Sequence, residues 1–142
     1  MKPVTYIEEI PAVAEYNVLR TSAGWGLFPD EKAVENGLNN SLYNLCAREN
    51  GELIGFGRVI GDGAITFYIQ DLIVLGKHQR SGIGTEIMRY LMSYISEAAS
   101  ERAIIGLLSA KGKEAFYEKF GFIPRPNETY GKGMFMFWET GI

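Results

Sequence analysis

Two tight-turn signals in the middle of the chain constrain the fold more than any other feature. Asn50-Gly51 is a strong two-residue hairpin turn, and Gly61-Asp62-Gly63 is a second turn signal. Runs rich in apolar residues flank both turns, so the spacing predicts three antiparallel strands that follow one another along the chain. These predicted strands cover residues 43–49, 53–60 and 64–75.

Helical spacing appears on both sides of this predicted meander. Ile83, Ile87, Leu91 and Ile95 recur on one face, which predicts an amphipathic helix over residues 82–100. Shorter patterns predict helices over residues 12–20, 31–42 and 111–120, and strands over residues 4–7, 102–108 and 134–138. The order of elements predicts an α/β fold with a mixed sheet, in a single domain that covers residues 1–142.

Composition excludes several classes of protein. The 142 residues are 46% hydrophobic and 22% charged, which is typical of a globular domain. Cys46 is the single cysteine, so no intramolecular disulfide is expected, and no signal-peptide pattern or membrane-length apolar run occurs. The formal net charge of −3 disfavours a nucleic-acid binder. We therefore expect a cytoplasmic protein that binds neither nucleic acid nor membrane.

A basic, glycine-containing stretch joins the third predicted strand of the meander to the long helix. Lys77, His78 and Arg80 precede Gly82 and Gly84 at the predicted helix start. Unpaired N–H groups and partial positive charge at a helix N-terminus suit a phosphate. The alternative is that the two glycines only let the helix pack closely on the sheet. Neither the dinucleotide-binding pattern nor the P-loop pattern fits this stretch.

The same stretch resembles the acetyl-CoA signature [QR]-x-x-G-x-[GA] of the GCN5-related N-acetyltransferases (GNAT). Residues 79–84, QRSGIG, match every fixed position, and residues 69–74 (IQDLIV) and 115–122 (AFYEKFGF) extend the resemblance. The resemblance implies a mixed, mostly antiparallel sheet flanked by helices on both faces, with strands four and five splayed. It also implies an acetyl-CoA-dependent enzyme that acetylates a primary amine by direct attack in a ternary complex.

The resemblance further implies where acetyl-CoA binds. Backbone amides of the signature hold the pyrophosphate, and free backbone on strand four pairs with the pantetheine arm. An N–H on that strand, that of Val74, polarises the thioester carbonyl. No cluster of side chains has metal-ligand spacing, so no metal is expected. The implied cofactor-binding residues are Ile73, Val74, Gln79, Arg80, Ser81, Gly82, Ile83, Gly84, Thr85 and Tyr117.

Acetyl transfer to an amine requires a proton donor for the departing thiolate and a route for the amine proton. Tyr117 matches the family tyrosine that acts as the acid, although its aromatic neighbours alone would indicate core packing. Asp71 lies in an apolar strand and is either a structural hydrogen-bonding partner or a catalytic contributor. Alternation places Asp71 on the opposite face from Gln70 and Leu72. Related enzymes often carry glutamate at the Gln70 position, so deprotonation through ordered water remains open.

The acceptor site is implied by the same resemblance to lie beside the loop between the first two helices and beside the last strands. Its candidate residues are Trp25, Phe28, Tyr68, Gln70, Tyr130 and Met134. Trp25 either walls the acceptor site or anchors its loop on the core. The acceptor would be a small-molecule or exposed protein amine, and a homodimer is possible. The alternative function is a non-catalytic sensor or regulatory module that binds CoA or an acyl-CoA.

Overall fold

The structure is a computed structural model that describes residues 3–139. Contacts divide the chain into two compact units, the first ending at Leu107 and the second beginning at Leu108. The first unit contains a five-stranded sheet with strand order β1-β2-β3-β4-β5, antiparallel except for the parallel pair β4 and β5. Its elements are β1 (Thr5–Glu8), α1 (Val13–Ser22), α2 (Glu31–Asn39), β2 (Tyr43–Glu49), β3 (Glu52–Gly61), β4 (Thr66–Val74), a 3-10 turn (Gly76–His78), α3 (Ile83–Ala98) and β5 (Ile104–Gly106).

The predicted meander is confirmed, beginning with its first turn. Asn50 and Gly51 both have positive φ, 51° and 80°, and Glu49 pairs with Glu52 across them. A two-residue hairpin turn of this type needs positive φ at both central positions, which asparagine and glycine tolerate best. This turn therefore sets the register of β2 against β3.

Helices cover both faces of the sheet, as predicted. Phe56 of β3 joins a buried cluster with Tyr16 and Leu19 of α1 and with residues of α2. On the other face, a methyl group added at Gly57 would lie 2.9 Å from a side-chain carbon of Ile87 in α3. A methyl group at Gly55 would lie 3.0 Å from Ile87 and 3.3 Å from Ile83. Successive residues of β3 thus pack against different helices.

The splay between strands four and five is also confirmed. β4 pairs with β5 only from Thr66 to Tyr68, opposite Ile104 to Gly106. Beyond Tyr68, this edge of β4 has no strand partner in the described part of the chain. The remainder of β4 therefore leaves main-chain groups along an open edge.

The alternation predicted for Asp71 is confirmed relative to Leu72 but is wrong relative to Gln70, because β4 contains a bulge. The register between β3 and β4 shifts between Phe56 and Arg58, and Asp71 has a φ of 59°. Arg58 pairs with Gln70 and also contacts the Asp71 carboxylate, whereas Leu72 lies near Gly57 on the α3 side. The extra residue of a bulge interrupts the two-residue period, so Asp71 shares a face with Gln70.

The second unit contains one short helix, α4 (Glu114–Glu118), which covers only part of the helix predicted over residues 111–120. The predicted strand over residues 134–138 is not formed, since residues 119–139 include no strand. Apolar composition favours an extended chain, but a strand also requires a neighbouring strand to pair with. Within residues 3–139, no helix is long and apolar enough to cross a membrane.

Candidate functional site

The first turn of α3 presents unpaired main-chain N–H groups. Gly82 is its N-cap, with φ 87° and ψ 0°, and no side chain caps this helix end. The first intrahelical bond runs from the Glu86 N–H to the Gly82 carbonyl, at 3.0 Å. The N–H groups of Ile83, Gly84 and Thr85 precede that bond and have no helical partner. A Cβ at Gly82 would meet no atom within 4 Å, so the space in front of this turn is open.

The signature loop, residues 79–84, is folded back onto the end of β4. The Gln79 side-chain amide donates to the Val74 carbonyl at 3.0 Å, and the Ser81 hydroxyl donates to the His78 carbonyl. Arg80 has a φ of 62° and an exposed side chain. Left-handed conformations at residues 80 and 82 turn the loop so that successive N–H groups can point toward one anion.

The open edge of β4 presents the main chain of Val74. The Leu75 N–H donates to the Ile54 carbonyl on β3, at 2.9 Å. Val74 lies opposite Gly55 in the same ladder, and neighbouring residues of a strand direct their main-chain groups to opposite sides. The Val74 N–H therefore points away from β3, toward the edge from which β5 has separated. The Val74 carbonyl, which accepts the Gln79 amide, points to that edge as well.

Asp71 anchors a buried polar cluster behind this edge. Its carboxylate accepts hydrogen bonds from the Tyr16 hydroxyl at 2.8 Å, Arg58 Nε at 2.7 Å, Arg20 Nη1 at 3.2 Å and the Gln70 amide at 3.3 Å. The Asp71 side chain is fully buried. Burial and the neighbouring carboxylate raise the pKa of Tyr16 to about 12, so this hydroxyl stays protonated and donates. The structure thus provides four hydrogen-bond donors for this buried carboxylate.

The loop between α1 and α2, residues 23–30, is held by Arg20. We call it the acceptor loop because it contains the acceptor candidates Trp25 and Phe28. Arg20 Nε and Nη2 both donate to the Gly26 carbonyl, at 3.0 and 2.8 Å. The guanidinium carbon lies 5.4 Å from the Trp25 ring centroid and 4.6 Å from that of Phe28, within the range of cation–π contacts. Trp25 also packs against the core cluster, which fits the loop-anchor interpretation of this residue.

Tyr117 lies in α4 of the second unit. Its ring makes edge contacts with Phe116, at 5.1 Å between centroids, and with Phe122, at 6.3 Å. Burial raises the pKa of Tyr117, so the phenol is protonated throughout the neutral range. The aromatic packing that its spacing alone indicates is therefore present, and it leaves Tyr117 in the form that an acid requires.

The predicted site residues are distributed over the two units. The first unit holds the acetyl-CoA candidates on β4 and around the start of α3, together with Trp25, Phe28, Tyr68 and Gln70. Phe28 is half exposed, and Tyr68 and Gln70 are partly buried on β4. The second unit holds Tyr117 with the acceptor candidates Tyr130 and Met134, whose exposed fractions are 53% and 89%.

Sequence reasoning did not identify Tyr16 and Arg20 as site residues. They lie four residues apart on α1, so both reach the same carboxylate from adjacent turns of the helix. The available signal was Asp71 itself, because a carboxylate in an apolar strand requires donors from elsewhere in the fold. Arg58, which the sequence places on a strand with two glycines, is one of those donors.

Fold and site together define a class of protein: an α/β acyltransferase fold with a splayed sheet edge and a helix start that no side chain caps. The family model for the acetyltransferase (GNAT) domain matches residues 19–137. This chain belongs to the GNAT family. The matched residues extend across the boundary between the two compact units.

Individual relatives agree with this assignment. The chain is 30% identical, over 79% of its length, to an uncharacterized N-acetyltransferase, ycf52-like, of Prochlorococcus marinus, of which the match covers 63%. It is 30% identical, over 87% of its length, to the uncharacterized N-acetyltransferase ycf52 of Pyropia yezoensis, of which the match covers 70%. The chain thus spans about two thirds of the length of these relatives. A solved probable acetyltransferase of meticillin-resistant Staphylococcus aureus matches with a TM-score of 0.88 and 34% identity, over 96% of this chain and 100% of that one.

Proposed function

We propose that this chain is an N-acetyltransferase that moves the acetyl group of acetyl-CoA to a primary amine by direct attack in a ternary complex. The proposal is carried by the uncapped first turn of α3 beside the open edge of β4, in a chain of the GNAT family. The acceptor that we propose is a small-molecule amine or an exposed amine of a protein. We also propose that residues 1–142 form a single GNAT domain.

Acetyl-CoA fits the groups that this structure offers. The N–H groups of residues 80–85 would hold the pyrophosphate, with Gln79 fixing the loop through its bond to Val74. Lys77 and Arg80, both exposed, would add local positive charge. The main chain at Ile73 and Val74 would hold the pantetheine arm, and the orientation of the open edge favours Val74 for the direct hydrogen bonds. Among residues 3–139, no group of three or more His, Cys, Asp or Glu is placed to hold a metal.

Acetyl-CoA supplies an acetyl group activated as a thioester. The Val74 N–H would donate to the carbonyl oxygen of that group, where negative charge develops during attack. A well-placed donor of this kind contributes about 3 kcal/mol to catalysis. Because β4 pairs with β3 on its other side, the Val74 N–H already points toward the open edge.

Tyr117 would protonate the departing thiolate. A phenol whose pKa is raised by burial holds its proton at neutral pH and delivers it only to a basic atom such as a thiolate. Tyr117 is also proposed as a cofactor contact, since an acid must lie within hydrogen-bond reach of the sulfur that it protonates.

The amine proton would leave through ordered water. The Asp71 carboxylate already accepts from Tyr16, Arg20, Arg58 and Gln70, and its side chain has no exposed surface. The Gln70 side-chain amide cannot accept a proton at neutral pH. We therefore propose that Asp71 contributes to catalysis by positioning β4, and that water carries the proton away from the amine.

The acceptor would lie against the aromatic residues of the acceptor loop and against β4. Trp25 and Phe28 are held near one another by Arg20, and Tyr68 and Gln70 lie on one strand. Tyr130 and Met134 of the second unit are proposed for the same role from the family resemblance. A largely aromatic lining favours an amine with an apolar body.

Titration calorimetry with acetyl-CoA, followed by thiol release across a panel of amines, tests the function. The panel should include small amines and a peptide with both an N-terminal amine and a lysine. Binding with amine-dependent thiol release is the expected result. Binding without release from any amine would favour a CoA-binding sensor, and the absence of binding would contradict the proposal.

Two further parts of the proposal concern location and assembly. We propose that the protein works in the cytoplasm and that two copies form a homodimer. Residues 134–138 expose five large apolar side chains, with exposed fractions from 71% to 89%, and self-association would cover such a surface. Light scattering of the purified chain at two concentrations would detect a dimer, and a monomer at both would contradict this part.

A further inference from the structure

One side chain connects the acceptor loop to β4. Arg20 lies in the last turn of α1, and its side chain is only 11% exposed. Two of its nitrogens, Nε and Nη2, bind the Gly26 carbonyl, and the third, Nη1, binds Asp71. A planar guanidinium has a fixed geometry, so the carbonyl on one side and the carboxylate on the other cannot move independently.

Besides Arg20, the packing of Trp25 against the core cluster also restrains the acceptor loop, but its main chain has few other bonds. Apart from bonds to Arg20, the described main-chain bonds of residues 23–25 reach only Leu19 and Thr21, and Gly24 has a φ of 77°. The rings of Trp25 and Phe28 both lie over the Arg20 guanidinium. Movement of Arg20 would therefore move the two aromatic residues that we propose as acceptor contacts.

At its other end the connection reaches the acetyl-CoA site. Asp71 occupies the bulge of β4, and Val74, whose N–H we propose as the donor to the acetyl carbonyl, follows three residues later on the same strand. The bulge is the one place where the described ladder between β3 and β4 shifts register, so the carboxylate and its donors fix the strand at that point.

We propose that Arg20 is a positioning residue that couples acetyl-CoA binding on β4 to the order of the acceptor loop. The inference rests on the proposed function, because it assigns acetyl-CoA to β4 and the amine to the loop. Binding of acetyl-CoA fixes β4 at Val74, Asp71 holds Arg20, and Arg20 holds Gly26, Trp25 and Phe28. By thermodynamic linkage, each substrate then tightens the binding of the other, by about fivefold or more.

The sequence offers a direct probe of this coupling. Trp25 and Trp138 are the two tryptophans, so Trp138→Phe leaves Trp25 as the sole indole. We expect acetyl-CoA to change the fluorescence of Trp25 in this variant and to reduce its quenching by acrylamide. Adding Arg20→Lys should remove this fluorescence change, since lysine has no planar guanidinium that can bind the Gly26 carbonyl and the Asp71 carboxylate together. The Kd for acetyl-CoA should stay within about threefold of its value in Trp138→Phe. The KM for the amine should rise about fivefold or more with little change in kcat.

Arg58→Lys is the matched control. Arg58 binds the same carboxylate through Nε but reaches Gly37 and Ser41 instead of the acceptor loop. The Trp25 response should persist in Trp138→Phe with Arg58→Lys. Equal loss of the response in both arginine variants would overturn the specific role of Arg20, as would an intact response in Arg20→Lys.

The outcomes separate this inference from the function on which it rests. If acetyl-CoA binds neither Trp138→Phe nor the unmodified chain, the proposed function and the coupling both fail. If acetyl-CoA binds but the fluorescence of Trp25 does not change, the coupling is overturned and the proposed function is not. If Arg20→Lys does not fold, hydrogen exchange of the unmodified chain decides: acetyl-CoA should slow exchange at residues 24–28, and unchanged exchange there overturns the coupling.

Discussion

Gln79 and Val74 are joined by a hydrogen bond of 3.0 Å between the side-chain amide of one and the main-chain carbonyl of the other. This bond connects the first residue of the signature loop to the open edge of β4. The N–H groups proposed for the pyrophosphate and the N–H proposed for the acetyl carbonyl are therefore held in a fixed relation. A glutamine in the signature thus has a structural task in addition to any contact with acetyl-CoA.

Removing this bond should weaken acetyl-CoA binding. In Gln79→Ala we expect the Kd for acetyl-CoA to rise about fivefold, because one hydrogen bond of about 1 kcal/mol no longer orders the loop. Titration calorimetry measures the effect. Gln70→Ala is the matched control, and it should change the KM for the amine rather than the Kd for acetyl-CoA. An unchanged Kd in Gln79→Ala would show that the loop is ordered by other contacts.

Gly82→Ala should affect both stability and binding. An alanine at φ 87° costs about 1–2 kcal/mol, and its methyl group enters the open space before the first turn of α3. We expect the free energy of unfolding to fall by about that amount and the Kd for acetyl-CoA to rise. Gly76→Ala, which has open space around its Cβ and no positive φ, should change neither by more than about 0.5 kcal/mol. Equal effects at both positions would contradict the role of Gly82.

The proposed acid can be tested by deleting one hydroxyl group. Tyr117→Phe should lower kcat by about a hundredfold, because the thiolate then departs without a positioned proton. The Kd for acetyl-CoA should stay nearly unchanged, since the ring keeps its contacts with Phe116 and Phe122. Tyr90→Phe removes the hydroxyl of an α3 side chain that is 37% exposed and stacks on Tyr6, and it serves as the control. Full turnover in Tyr117→Phe would refute the acid assignment.

Asp71→Asn distinguishes a positioning role from a base. The substitution leaves the guanidinium groups of Arg20 and Arg58 without their buried carboxylate, and we expect a loss of about 3 kcal/mol in the free energy of unfolding. Urea denaturation measures this loss, and Glu35→Gln, which breaks an exposed pair with Lys32, should cost far less. The pH profile of kcat/KM should keep its shape in the folded variant. Disappearance of the acidic limb, which reports deprotonation of the base, would identify Asp71 as the base.

Tyr16 should make stability depend on alkaline pH. Its folded pKa of about 12 exceeds the ordinary value of 10, so the folded state holds this proton more tightly than the unfolded state. The stabilisation is complete below pH 10 and is lost as the pH rises from about 10 to about 12, by about 3 kcal/mol. Urea denaturation from pH 9 to 12 should show this loss in the unmodified chain and a smaller one in Tyr16→Phe. An equal loss of stability in both proteins over this pH range would contradict the raised pKa of Tyr16.

Local chemistry made much of the first unit predictable. Asn50-Gly51 requires positive φ at both positions, and the apolar stripe from Ile83 to Ile95 has only one amphipathic interpretation. Both predictions are therefore confirmed. The signature residues could be placed at the start of α3 because the apolar stripe of the helix begins at Ile83, directly after Gly82.

The rest depended on contacts between residues distant in sequence. Asp71 departs from alternation because a bulge adds one residue to β4, and neither neighbour of Asp71 is a glycine that would have marked it. Tyr16 and Arg20 look like polar positions on an amphipathic helix until the carboxylate they share is placed beside them. The run at residues 134–138 has strand composition, but composition does not provide the neighbouring strand that a ladder requires.

Gly55 and Gly57 of β3 have a consequence for how the proposed acetyl-CoA site is inherited. Their missing methyl groups determine how closely Ile83 and Ile87 approach the sheet, and Ile83 is the first residue of the helix whose N–H groups we propose for the pyrophosphate. The depth of an anion site at residues 79–85 is thus encoded about thirty residues earlier in the chain. A relative could keep every signature residue and still misplace its amides by a few tenths of an ångström through one alanine on a different strand.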